Sequence, residues 1–189
     1  MSEAISALDG AVFDGACRVE DLGPSGMITL RGDLGSAAFK KAMNALAFNG
    51  NPERLQINFC DAGAAAWMSP DELMLFCDYD KAGDMVTRVE KALGKAHFLV
   101  ADVSDARAHI RVTGTNVRDV LAKLTPADVS ARSFRPGQFR RSRLAQVPGA
   151  FWMVDDKTVE IVCFRSVARY VFDILSLAAS EDAVVGFQQ

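Results

Sequence analysis

The sequence predicts an α+β fold, a split β-α-β lobe of ferredoxin-like order plus a smaller N-terminal β-α-β lobe. Three observations predict it. Residues 71–124 alternate short apolar runs with helix-spaced ones in the order β-α-β-β-α. A shorter strand-helix-strand series precedes them, from "MITLRG" (27–32) to "RLQINFC" (54–60). A hairpin pattern, "GAFWMVDDKTVEIVCF" (149–164), turns at Asp155-Asp156-Lys157 and supplies further sheet. A chain of 189 residues suits one compact domain or two small lobes sharing a core.

Each element follows from local pattern. Residues 1–25 are weakly periodic, end in "GPSG" and read as a partly ordered N-terminal arm. Residues 26–189 form the remaining domain, with lobes at about 26–70 and 71–180. After the strand at 27–32, Gly35-Ser36 opens a helix with Ser36 as its N-cap. Phe39, Ala42, Met43 and Leu46 give that helix one apolar face. Residues 54–60 alternate polar and apolar, and "AGAAAWM" follows as a second strand. Leu73–Cys77 is a strand, and a helix over 82–94 aligns Met85, Val86, Val89 and Leu93. "AHFLVADVS" (96–104) and "ARAHIRVTG" (106–114) are strands joined by a turn near Ser104-Asp105. In the second, Ala108, Ile110 and Val112 point one way, and His109, Arg111 and Thr113 the other. A helix over 115–124 buries Val117, Val120, Leu121 and Leu124, and a strand lies within "GQFRRSRLAQV" (137–147). A last helix has Ser166 as its cap and Val167, Tyr170, Val171, Ile174 and Ala178 as its stripe. The tail "SEDAVVGFQQ" frays or packs on a neighbour.

Composition narrows the function classes. Half the residues are hydrophobic, 24% are charged, and the net charge is −3, so nothing global calls for nucleic acid or an anionic membrane. No run of 18 apolar residues occurs, and the acidic N-terminus lacks a signal-peptide order. The expected location is the cytoplasm. Cys17, Cys60, Cys77 and Cys163 make no C-x-x-C pair and read as small apolar residues in a reducing compartment, not as a disulfide or zinc framework.

Four candidates for chemistry stand out. In "WMSPDELMLF" (67–76), Asp71 and Glu72 form either an acid pair or the polar turn before a core strand. Adjacent residues do not share a face, and no partner is placed to shift a pKa, so the turn reading is preferred. His97 and His109 can meet across a hairpin, but lack a placed carboxylate, cysteine or nucleophile. "GTNVRD" is a strand-Gly-helix junction without a phosphate-loop pattern. The fourth is "RSFRPGQFRRSR" (132–143), which holds five of the chain's 21 basic residues, with no acid between Asp128 and Asp155. Arg132, Arg135, Arg140, Arg141 and Arg143 are read as a solvated surface, a docking patch for an acidic partner, or a single-stranded nucleic-acid groove with bases on Phe134 and Phe139. Trp67, Phe151 and Trp152 read as core or interface anchors, and Arg165 as a residue pairing with a carboxylate or reaching a partner.

Three ordered segments carry a resemblance: "WMSPDELMLF", "VTGTNVRDVLAKLTPADVSARSFRPGQFRRSRLAQVPGAFW" and "VEIVCFRSVARYVFDILSLAA". Together they resemble the gamma subunit of heterotetrameric sarcosine oxidase, over about residues 60–180. The resemblance implies a fold like that of folate-binding aminomethyltransferases. It implies a complex with alpha, beta and delta subunits that oxidises sarcosine to glycine, yields hydrogen peroxide and passes a one-carbon unit to tetrahydrofolate. FAD, FMN, NAD and tetrahydrofolate are then expected in the partner subunits and none in this chain. It offers no catalytic, cofactor-binding or metal residue here, and so implies that the chain is an accessory subunit of an oxidoreductase. The alternatives are a stand-alone folate-binding transferase and a single-stranded nucleic-acid module.

Overall fold

A computed structural model describes residues 4–48 and 50–185. In chain order the strands and helices are β1 (Val12–Phe13), β2 (Arg18–Asp21), β3 (Gly26–Gly32), α1 (Ala37–Ala45), β4 (Ile57–Cys60), β5 (Gly63–Ser69), β6 (Glu72–Cys77), α2 (Ala82–Leu93), β7 (Phe98–Asp102), β8 (Arg107–Thr113), α3 (Val117–Ala122), β9 (Phe139–Leu144), β10 (Val147–Asp155), β11 (Thr158–Phe164) and α4 (Ala168–Ala178). The fold is α+β, with two antiparallel sheets in two units. One unit is the continuous segment Ser25–Asp105; the other combines the described residues up to Pro24 with those from Ala106 onward.

The continuous unit has a five-stranded sheet of order β4-β5-β6-β3-β7. Ile28 and Leu30 of β3 lie opposite Leu75 and Leu73 of β6, and Leu75 lies opposite Ala65 of β5. These residues share one core with Phe39, Ala42 and Met43 of α1 and Met85, Val89 and Leu93 of α2. Ser36 caps α1 as predicted, its Oγ accepting from Phe39 N–H at 3.3 Å. Gly94, at φ +57°, ends α2 with its N–H on Glu90 O at 2.9 Å.

The second unit has a six-stranded sheet of order β1-β2-β8-β11-β10-β9. Alternation sends Val19, Ala108, Ile110, Val112, Phe151, Met153, Val159 and Ile161 into a core with α3 and α4. The hairpin of β10 and β11 turns at the predicted residues, and Val117, Val120 and Leu121 of α3 are buried as expected.

Several expectations need correction. The partly ordered arm expected at 1–25 contributes to the sheet: β1 pairs with β2, and β2 extends the sheet beside β8, with Val19 at 0% exposure. The four residues of β2, with Val19 their one apolar side chain, carry too little pattern to announce a strand. The lobes expected at 26–70 and 71–180 do not coincide with the observed units. A cut at residue 70 falls inside the hairpin of β5 and β6, and β6 also pairs with β3. The strands expected to join across Ser104-Asp105 do not pair with each other: β7 pairs with β3, and β8 with β2 and β11. Residues 54–56 stay outside β4, with Leu55 at φ +62°. The last helix is preceded by a 3₁₀ turn at Arg165–Val167, and no side chain caps it. Its buried stripe is Ala168, Val171, Phe172, Leu175 and Ala178, and the helix starts one residue later than expected; Tyr170 is 39% exposed. In the tail, Glu181–Ala183 form a 3₁₀ turn, Val185 is exposed, and residues 186–189 lie outside the described residues.

Candidate functional site

The six-stranded sheet turns its alternate residues away from the helical core, and the molecule's polar chemistry gathers on them. Across β2, β8 and β11 they form a ladder of alternating charge. His109 Nε2 lies 3.2 Å from Glu160 Oε2. Arg111 donates to Glu160 Oε1 at 2.6 Å, and its other terminal nitrogen lies 3.6 Å from Glu20 Oε1. Arg18 donates to Glu20 at 3.3 Å and to Asp14 at 2.7 Å. The register explains the contacts, since Glu160 stands directly opposite Arg111, and Arg111 directly opposite Glu20.

Aromatic rings continue the face. Trp152 lies 5.5 Å from His109 and stacks on Phe139 at 6.1 Å and 19°. Trp152 and Phe139 are 1% and 0% exposed. Arg107 sits 4.0 Å over the Phe164 ring.

The electrostatics decide what this cluster can do. Burial pushes the Glu160 carboxyl up, but His109 and Arg111 together outweigh burial and hold it below its ordinary value. Both carboxylate oxygens are engaged, so Glu160 is a fixed anion joining strands. A proton carrier needs a pKa near working pH and an oxygen aimed at substrate.

The arginine stretch lies at the sheet's edge. Arg132 and Arg135 are exposed on the loop before β9, and Arg141 and Arg143 are exposed on β9, the terminal strand. Arg140 is different. It points to the core side, sits 5.3 Å over the Phe134 ring, and donates to Ser133 O, Phe139 O and Gln138 Oε1. Arg118 of α3 anchors the same loop from within, donating to Val129 O at 2.9 Å and Phe134 O at 2.7 Å while 8% exposed. Burial lowers the pKa of both arginines. Phe134 is fully buried edge-on to Phe151, and Phe139 is buried under Trp152. Neither ring is available to stack a base, which removes the structural basis of the nucleic-acid reading.

The other predicted residues fall elsewhere. Asp71 and Glu72 belong to the hairpin between β5 and β6. Ser69 Oγ donates to Asp71 Oδ1 at 2.5 Å, and Glu72, 6% exposed, accepts from Arg31 at 2.8 Å and Thr29 at 3.1 Å. The polar-turn reading describes them, and the partner of Glu72 comes from a strand 41 residues away. His97 is exposed before β7 in the continuous unit, and His109 lies on β8 in the other unit, where its side chain meets Glu160. Gly114 makes a close approach: a Cβ there would meet Cys17 Sγ at 2.7 Å. The helix it opens has six residues. Arg165 donates to Ile5 O at 2.8 Å, tying down the N-terminal segment. The four cysteines are free, two of them buried. Among the described residues no group of histidine, cysteine and acidic side chains could hold a metal, and no helix is long and apolar enough to cross a membrane.

Sequence reasoning missed the His109-Glu160-Arg111 contacts and the burial of Arg118. The first carried a signal: the polar alternates of β8 and β11 have opposite charge and pair once the strands are set side by side. The second carried none, because Arg118 lies in a stretch where a polar residue is expected outside.

This arrangement defines a class before it defines a family. The two-unit fold is that of the aminomethyltransferases: glycine cleavage system aminomethyltransferase T from Bartonella henselae superposes with a TM-score of 0.59 over 82% of this chain and 44% of that one, at 15% identity. A chain of heterotetrameric sarcosine oxidase from Corynebacterium sp. U-96 superposes with a TM-score of 0.81 over 92% and 90%, at 24% identity. Residues 31–181 match the model of the sarcosine oxidase gamma subunit family, and the chain belongs to that family. It is 23% identical over 171 residues to sarcosine oxidase subunit gamma of Corynebacterium sp. strain P-1, covering 89% of this chain and 83% of the relative. It is 26% identical over 137 residues to the subunit of an Arthrobacter species, covering 70% and 64%.

Proposed function

We propose that this chain is the non-catalytic gamma subunit of a heterotetrameric sarcosine oxidase. The family match, which runs through both units from residue 31 to residue 181, carries this reading. Alpha, beta and delta subunits are the companions. They hold FAD, FMN, NAD and tetrahydrofolate, and they work in the cytoplasm. The complex oxidises sarcosine to glycine with oxygen, releases hydrogen peroxide and places the one-carbon unit on tetrahydrofolate. This chain acts by holding the assembly together. The saturated charge ladder supports that role, since its buried carboxylate is spent on neighbouring strands. Arg132, Arg135, Arg141 and Arg143 form the docking patch for an acidic surface of a companion; Arg140 is excluded by its internal contacts.

Co-expression with the two large flavoprotein chains tests the proposal. The expected result is a yellow complex on size exclusion that contains this chain and loses cohesion without it. Full assembly and turnover in its absence overturns the accessory role. Micromolar binding of tetrahydrofolate to the isolated chain supports the transferase reading instead.

A further inference from the structure

We propose that two copies of the isolated chain associate edge to edge through β7, antiparallel about a two-fold axis at Val100. This is independent of the subunit reading. β7 ends the five-stranded sheet, with no strand beyond it among the described residues. Its sequence, FLVAD, is apolar in four of five positions, yet no residue in it is buried and Leu99 is 52% exposed. A terminal strand of that composition, free of proline and lysine, is a template for another strand.

The pairing can be read from the ladder. Val103 N–H donates to Met27 O at 2.8 Å, so the odd-numbered residues of β7 bond to β3. By antiparallel alternation the backbone groups of Phe98, Val100 and Asp102 point away from the sheet. In a two-fold pairing centred on Val100, Val100 meets its own copy and Phe98 meets Asp102, each pair exchanging two backbone bonds. Asp102 is no obstacle, because its carboxylate accepts from Ser104 N–H at 2.9 Å and from Ser104 Oγ at 2.5 Å.

Charge selects this occupant and this direction. Lys95 and His97 stand exposed at the entry to β7, and Asp102 and Asp105 stand exposed at its exit. A second copy running antiparallel brings the Lys95 end of one strand to the Asp105 end of the other, where the Asp105 carboxylate also accepts from Tyr79 Oη at 2.8 Å. A parallel copy would set like charges together.

Sedimentation of the purified full chain at roughly 1–100 µM tests this. The expected result is a reversible dimer. Lys95→Glu weakens it about fivefold to tenfold, and adding Asp105→Lys to that variant restores it, since two cross-strand pairs change sign and change back. Val100→Pro, which removes an outward N–H, abolishes the dimer. The charge variants lie outside the ladder, so thermal unfolding coincident with the parent verifies an intact fold. A chain that stays monomeric across this range overturns the proposal, and so does a dimer indifferent to the charge swap or to the proline.

Discussion

Glu160 of β11 and His109 of β8 lie 3.2 Å apart, both less than a tenth exposed, with Arg111 on the carboxylate's other oxygen at 2.6 Å. The carboxylate is buried with two partners, and its pKa is below the ordinary value. Glu160→Gln removes the charge and leaves His109 and Arg111 facing a neutral amide. The expected cost at pH 7 is about 2–3 kcal/mol, below the full penalty for a broken buried pair because Arg111 is partly exposed. A depressed folded pKa contributes stability that is present above the unfolded value and lost as pH falls through the folded one. The gap between parent and Glu160→Gln in urea unfolding is therefore full at pH 7 and closes below the ordinary 4.5. A gap that widens on acidification contradicts this assignment.

Arg118 sets the shape of the basic loop from inside. Its guanidinium satisfies two buried carbonyls, at Val129 and Phe134. Arg118→Met keeps the stem and loses the donors. It should cost about 2–3 kcal/mol and expose the loop between α3 and β9 to protease, whereas Arg132→Met should do neither. Limited proteolysis followed by mass spectrometry locates the cut.

The strongly periodic elements were legible in the sequence. The faces of α1 and α2, the alternation of β8 and the turn at Asp155-Asp156-Lys157 need only neighbours in the chain, and each is where its pattern put it. Pairing across distance was not legible. Nothing near Glu72 announces Arg31, and nothing in "VEDLGPSG" says that β2 lies along β8. The division into units failed for the same reason: the turn at Ser104-Asp105 looks like a hairpin locally, and only long-range pairing shows that its two strands belong to different sheets. At the candidate surface, charge clustering identified the five arginines, but the inward turn of Arg140 depends on the Phe134 ring and the Ser133 carbonyl.

Two glycines should respond in opposite directions. Gly63 has φ +130°, and a Cβ there would lie 1.9 Å from Phe76 O. Gly63→Ala is expected to cost more than about 2 kcal/mol through backbone strain and collision. Gly83 lies in α2 with nothing within 4 Å of a built Cβ. Gly83→Ala should stabilise by about 0.5 kcal/mol, because alanine gives up less chain entropy on folding. Denaturant midpoints for the pair measure both signs in one experiment.

The arginines themselves separate folding from assembly. Arg140→Ala empties the site over Phe134 and leaves the Ser133 and Phe139 carbonyls without their donor, so it should cost about 1 kcal/mol of stability. Arg132, Arg135 and Arg143 are exposed, and replacing all three with alanine should move the thermal midpoint by less than about 2 °C. If the patch docks an acidic companion, the triple variant instead loses complex yield on co-expression. The gap to the parent narrows with added salt, because screening over about 10 Å at 0.1 M weakens the parent's patch and leaves the variant little to lose. Arg140→Ala with its fold retained should assemble normally. Intact assembly of the triple variant at every salt concentration would place the companion's surface elsewhere on the chain.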